Sequence, residues 1–465
     1  MRLAIRGGTV VSESGPMPAD VVCADGRIEA LTRPGTAPGD VDETFDATGL
    51  LVFPGFIDSH VHSRDPGLTH KETFERSTLA ALCGGLTTIL EMPNAVPPVS
   101  DRDVFVARRD EHAQHAWVDF GLWGIALGAD NLDALPGLFD AGAVAVKLFW
   151  GYALHKQRQS LVYNFEDEAP EDLLLPPGNG AVYALFRRIA EIGGVLAVHC
   201  EDTAILQQAA ADLGHPIETY ADLLAARPAA AEAVSVAVGA QLAAATGCRF
   251  HVVHLASAQG VEAVRQAQRS SAPVTAETCP QYLTLTDADV DRLGPMLKVY
   301  PPVRTAADQK ALWAAVEDGT LSFVASDHAP HAEEEKDVGF ASAPAGGIGV
   351  ETIAPLLVDA MATGRLSPAR LGEVLSTKTA QLYGLWPRKG SVHPGTDADL
   401  TLVDPAGSHV VRNDDLHSLH PVSAWDGVQL RGRIVASVMG GTVAMRDGKP
   451  VGERRGQFVP ANHHG

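Results

Sequence analysis

The chain has 465 residues, 46% of them hydrophobic and 20% charged, with 57 acidic against 36 basic side chains and a formal net charge of −21. This composition supplies a sizeable core and argues against a disordered chain, and its acidity opposes nucleic-acid or anionic-membrane partners, which need basic patches. Five scattered cysteines (Cys23, Cys83, Cys200, Cys248 and Cys279) form no CxxC pair, and the opening Met-Arg-Leu-Ala-Ile-Arg-Gly-Gly has no apolar signal core, so a reducing, cytoplasmic setting without a disulfide framework is expected.

Residues 1–53 read as short strands with turns. The run 3–11 (LAIRGGTVV) is followed by 19–32 (ADVVCADGRIEALT), where Asp25-Gly26 is a hairpin signal. Residues 54–388 have another rhythm. Apolar runs at 87–93 (TTILEMP), 144–150 (VAVKLFW), 194–202 (GVLAVHCED), 250–257 (FHVVHLAS), 273–280 (PVTAETCP) and 322–331 (SFVASDHAPH) alternate with Ala- and Leu-rich helical stretches such as 182–193 and 230–247. Such alternation implies parallel strands buried on both faces, and its repetition predicts a (β/α)8 TIM barrel. An open doubly wound sheet is the rival, but no GxGxxG follows an early strand. Polar residues also gather at the C-terminal ends of the apolar runs, where barrel enzymes place their chemistry. Residues 389–450 return to the texture of the N-terminus, with GSVHPGTDADLTLVD and GRIVASVMGGTVAMRDGKPV. The reading is therefore an α/β chain: a barrel over 54–388, a small β-sandwich module composed of 1–53 and 389–450, and a tail over 451–465. No uninterrupted apolar stretch reaches the roughly 18 residues needed to span a bilayer.

His60-Val61-His62 sets two imidazoles at i and i+2, on the same side of a strand and within reach of one ion. Taken alone, HxH is also common at surfaces. Asp58, just before it, is placed to orient a ring or the backbone. Lys147 interrupts a run that otherwise reads as a buried strand. A buried ammonium is costly unless paired or altered. That leaves a lysine paired with a core carboxylate, or an amine carbamylated by CO2 into a carboxylate-like bridge between two cations. His199 and His254 each end a strand-like run, and Asp327 ends FVASD, where a carboxylate serves both metal binding and proton transfer. His251, three residues before His254, is expected on the opposite strand face in a structural role. The set is enough for two divalent ions, and its N/O donors suit zinc.

In chain order, FPGFIDSHVHSRDPG, CGGLTTILEMPN, VKLF, VHCED, VHLAS, AETCPQYLTL, KVYPPVR, SDHAPH and GTDADLTLVD resemble the amidohydrolase superfamily. More narrowly the chain is similar to its cyclic amidohydrolases: dihydroorotase, allantoinase and hydantoinase/dihydropyrimidinase. The resemblance covers nearly the whole sequence. It implies a barrel with a split β-module and a binuclear zinc site bridged by carbamylated Lys147, with water activated between the ions as nucleophile. One ion then takes His60, His62, Lys147 and Asp327, and the other Lys147, His199 and His254. Asp327 carries the proton to the departing ring nitrogen. A small cyclic amide is the implied partner, and a homo-oligomer, dimer or tetramer, the implied assembly.

The ring is read from pocket positions. Arg64, Asn94 and His331 stand where dihydroorotases bind the substrate carboxylate, and an arginine fork suits that anion. Singly, Arg64 is equally able to pair with Asp65, and Asn94 to cap a turn. The segment APAGGIGVET resembles the dihydroorotase loop that meets the ring with backbone groups. Against these stand Tyr152, where hydantoinases place an intermediate-stabilising tyrosine, and Gln281, KVYPPVR and the chain length, which lean to hydantoinase or allantoinase. A carboxylate needs dedicated cationic partners, so dihydroorotase-type activity is the first expectation and a ureide hydrolase the alternative. A non-catalytic scaffold relative is set aside because no metal ligand is missing. The charged, Pro- and Gly-rich insertion over 155–181 reads as a mobile loop.

Overall fold

A computed structural model of the chain describes residues 1–163 and 168–463. The two ends of the chain share one nine-stranded sheet. Its seam is the short strand Leu51–Pro54, which pairs in parallel with Arg2–Ser12 on one side and antiparallel with Leu400–Val410 on the other. Gly15–Ala24 and Arg27–Thr32 extend one flank through the turn at Asp25 and Gly26, both at positive φ, as the Asp-Gly signal requires. Gln429–Met439, Thr442–Arg446 and Lys449–Pro450 extend the other. The expected sandwich is one continuous sheet rather than two separately bonded layers. It curls, so that a Cβ on Gly441 would lie 3.3 Å from Cys23, and Ile28 donates its N–H to Thr396 O at 2.9 Å. Leu3, Ile5, Val21, Val52, Leu402, Ala436 and Val443 thereby share a single core.

The middle of the chain builds parallel strands in sequence order. Phe56–Val61, Leu86–Glu91 and Asp119–Leu122 form one set. Gly124–Ala126, Val146–Trp150, Val195–Cys200, Arg249–Val252, Val274–Thr278 and Phe323–Val324 form the next. Most are buried along their whole length, which is why they read as unbroken apolar runs rather than as alternation. Hydrogen bonds join the two sets: Val144 N donates to Leu122 O, and Trp123 N, just before Gly124–Ala126, donates to Glu91 O. Val61 also bridges His328, just beyond the last strand. Between strands run helices whose starts are set by side-chain caps: Thr73, Asp101, Ser257 and Thr305 each accept from a first-turn amide. The long apolar helix Ala229–Thr246 packs against Val195–Cys200 and Arg249–Val252.

Three features outside this pattern matter. Lys389 ion-pairs with Asp397, Asp399 and Asp119, tying the Asp119–Leu122 strand to the start of the C-terminal β segment. Residues of the 451–465 tail dock on that same strand, with Phe120 N donating to Gln457 O and Val459 N to Phe120 O. The insertion read as a mobile loop contributes to a three-stranded antiparallel sheet of Ala153–His155, Ser160–Val162 and Leu173–Leu174, with Leu154 and Leu173 buried. Its residues 164–167 lie outside the described residues.

Candidate functional site

One cavity at the C-terminal ends of the parallel strands is lined by His60, His62, Lys147, His199, His254 and Asp327, together with Arg64, Asn94 and Tyr152. Several of these residues leave regular strand geometry to reach it. Arg64, His254 and Asp327 have φ of 60°, 40° and 51°, a left-handed conformation that non-glycine residues hold at a cost and that clusters at functional sites.

His60 Nε2 and His62 Nε2 lie 3.3 Å and 3.6 Å from Asp327 Oδ1. The three donor groups fit within one ion's ligand shell. In the same cavity, His199 Nδ1 lies 3.0 Å from His254 Nε2. Burial holds all four imidazoles below their ordinary pKa, so each is neutral and has a lone pair to give. Lys147 is fully buried, and its Nζ has no hydrogen-bond partner among the described residues. Burial brings its pKa down to about 8. The sequence reading of a lysine paired with a core carboxylate is therefore not met by a direct bond. An orphaned amine amid nitrogen and oxygen donors instead fits a metal pair, provided the amine carries a carboxylate.

Three of the four imidazoles are held from behind. His60 Nδ1 meets Glu277 Oε1 at 2.7 Å, His62 Nδ1 meets Asn94 Oδ1 at 2.6 Å, and His199 Nε2 meets Glu201 Oε2 at 2.9 Å. Glu201 in turn binds the Arg227 guanidinium, which stacks over the Tyr300 ring. These partners fix the tautomers so that the opposite nitrogens face the cavity. Asp58 orients backbone rather than a ring, accepting from His60 N at 3.2 Å and Ser326 N at 3.0 Å. His251 does not turn to the opposite face: it shares Glu277 with His60 at 3.3 Å and stacks on Phe323. The strand ends at Val252 and His254 is left-handed, so simple alternation does not carry across.

Of the three residues expected as a carboxylate clamp, two meet at this cavity. Arg64 and Asn94 line the cavity, and Asn94 Oδ1 accepts from His62 Nδ1. His331 lies behind Gly346, lining a different cavity with Lys336 and His420, and it binds Ala345 O and Lys71 Nζ. The wall that sequence reasoning did not single out is aromatic: Phe149, Tyr163 and Tyr300 join Tyr152, whose ring packs against His199 at 4.5 Å. Burial keeps the Tyr152 phenol protonated well above its ordinary range. Gln281 borders an adjoining, more apolar cavity that reaches Asp327.

Parallel strands carrying histidines and an aspartate at their C-terminal ends define a metal-dependent hydrolase scaffold. The chain belongs to the amidohydrolase family, whose model matches residues 51–444. It is 38% identical over 461 residues to the allantoinase of Rubrobacter xylanophilus, covering 98% of this chain and 97% of that one. It is 33% identical over 470 residues to the L-hydantoinase of Paenarthrobacter aurescens, covering 99% and 98%. Among solved structures, L-hydantoinase (dihydropyrimidinase) from Arthrobacter aurescens superposes with a TM-score of 0.91 at 33% identity, over 98% of this chain and 99% of that one. Dihydropyrimidinase from Brevibacillus agri superposes with a TM-score of 0.89 at 26% identity, over 100% and 99%. The protein is thus a hydrolase acting on the carbon–nitrogen bonds of cyclic amides, built as a TIM barrel with a β domain.

Proposed function

We propose that this chain is a binuclear, zinc-type hydrolase that opens a neutral ureide ring, with allantoin ahead of hydantoin or a dihydropyrimidine. The observation that carries the reading is the donor set: four neutral imidazoles and one carboxylate around a buried lysine nitrogen that has no partner among the described residues. His60, His62 and Asp327 would hold one ion and His199 and His254 the other, with Lys147 as a carbamate supplying a ligand to each. Bound there, the ions supply Lewis-acid polarisation of a ring carbonyl and a lowered pKa for water.

The chain's own groups do the rest. Asp327 accepts the proton of the attacking water and delivers it to the departing ring nitrogen. Tyr152, protonated, donates to the oxygen of the attacked carbonyl. Phe149, Tyr163 and Tyr300 wall the ring from bulk water. Glu277, Asn94 and Glu201 keep the imidazoles aimed.

The preference for a neutral ring rests on the allantoinase and hydantoinase relatives and on His331 lining another cavity. Arg64 in the cavity wall favours a second reading, dihydroorotase-type hydrolysis of a carboxylate-bearing ring. The proposal extends to a closed eight-stranded barrel over 54–388, a β-module from 1–53 and 389–450 with the 451–465 tail, and a cytoplasmic homo-oligomer.

The test is ring opening of allantoin, hydantoin, dihydrouracil and dihydroorotate by enzyme loaded with zinc and bicarbonate. Allantoin is expected to lead, with activity lost on chelation. Preference for dihydroorotate, and its selective loss in Arg64→Met, would move the assignment to the second reading. No ring opening of any of the four would overturn both.

A further inference from the structure

Away from the catalytic cavity, Cys83, Glu351 and His417 bring their donor atoms within 4.8 Å of one another. They come from distant places: Cys83 ends the helix Phe74–Cys83, Glu351 precedes the helix Ile353–Ala362, and His417 lies between the strands Leu400–Val410 and Gln429–Met439. Their approach is built in. Gly84 sits so near Glu351 that a Cβ there would come within 2.6 Å of the Glu351 carbonyl oxygen. Any larger residue at 84 would push the helix end, and Cys83 with it, away.

Glu351 clamps His417 twice. Oε2 accepts from the His417 backbone N–H at 2.7 Å, and Oε1 lies 2.8 Å from Nδ1. A carboxylate at Nδ1 holds the proton there and leaves the Nε2 lone pair facing Cys83 Sγ, 3.7 Å away. Two ligands of one tetrahedral zinc, sulfur at about 2.3 Å and nitrogen at about 2.0 Å, stand about 3.5 Å apart. The observed gap is that of a ligand pair. A carboxylate behind the imidazole is also how metal-binding histidines are oriented. The cluster borders a cavity of about 480 Å3 that includes His409, Asp414 and Asp415, which provides an entry path and room for waters to complete a coordination shell.

We propose that Cys83 and His417, backed by Glu351, form a further metal site for a thiophilic divalent cation of the zinc class, separate from the catalytic pair. None of the three lines the catalytic cavity. Binding forms one bond from Sγ and one from Nε2. The thiol proton leaves to solvent, while Nδ1–H stays on the imidazole and bonded to Glu351. Burial pushes the Cys83 thiol up, so without a cation it remains protonated and a poor nucleophile. That weighs against reading the same Cys–His–Glu geometry as a hydrolytic triad. The site joins three separate segments, so an occupied site cross-links the end of the first helix to the long C-terminal connection.

Cobalt reconstitution of the chelated full-length chain tests the site, because the catalytic donors proposed above are nitrogen and oxygen alone. Wild type is expected to develop a thiolate-to-cobalt charge-transfer band and to bind one more equivalent of metal than Cys83→Ser. The near-isosteric Cys83→Ser should lose the band and keep ring-opening activity, and His417→Ala should lose the band as well. A cobalt titration of wild type that saturates without a thiolate band, or a band that survives in Cys83→Ser, overturns the proposal.

Discussion

Glu277→Gln isolates the part of the site that aims His60. The Glu277 carboxylate is fully buried and receives His60 Nδ1 at 2.7 Å, Ser59 Oγ at 3.1 Å and His251 Nε2 at 3.3 Å. By keeping the proton on Nδ1 it keeps His60 Nε2, 3.3 Å from Asp327 Oδ1, as the ligand atom. Glutamine preserves shape and one acceptor but removes the charge and turns an NH2 toward groups that now donate. A hydrogen bond to a charged partner contributes about 1.5–3 kcal/mol and a neutral one about 0.5–1.5 kcal/mol. The difference is about 1–1.5 kcal/mol, or roughly tenfold in an equilibrium constant. Competition against a chromogenic chelator should therefore find one metal held roughly tenfold more weakly, with kcat restored by excess zinc. Unchanged metal affinity would refute the positioning role. So would a loss of kcat that saturating zinc does not restore.

Asp327→Asn is expected to keep at least one metal and lose turnover by orders of magnitude, because an amide cannot take the proton; near-normal kcat would remove Asp327 from proton transfer. Lys389→Met leaves Asp119, Asp397 and Asp399 facing one another without their shared cation. Breaking such a buried set costs about 3–5 kcal/mol, so the denaturant midpoint should fall clearly, and an unchanged midpoint would contradict this assignment. Burial raises Glu232 from its ordinary 4.5 to about 7. A carboxyl group raised on folding contributes stability that is present below its ordinary pKa and lost as pH climbs through the folded value. Melting temperature should decline from about pH 4.5 to about pH 7 through this group, and Glu232→Gln should flatten that segment; a variant profile parallel to wild type would refute the linkage.

The proposed metal donors were readable because each is a polar residue ending an apolar run, and the structure makes those runs parallel strands. Glu277 and Glu201 carried the same signal inside AETCP and VHCED. A carboxylate at a strand end looks alike whether it binds metal, orients a histidine or simply pairs, and only the contacts with His60 and His199 distinguish these roles. Arg227 had no local signal, since its guanidinium reaches Glu201 across the gap between two helices. The placement of His331 was hidden for a related reason. Its spacing from Asp327 matched the family motif, but Gly346 stands between it and the catalytic cavity. At the chain ends, matching texture predicted pairing but not the seam at Leu51–Pro54, because register is set by partners distant in sequence.

The carbamate proposed on Lys147 is the central claim, because without it a buried ammonium would face two cations. Apoenzyme reconstituted with zinc in 13C-bicarbonate and observed by carbon NMR tests it directly. A protein-bound carbamate signal that grows with activity and is absent from Lys147→Ala is the predicted result. Full activity with no carbamate signal would contradict it.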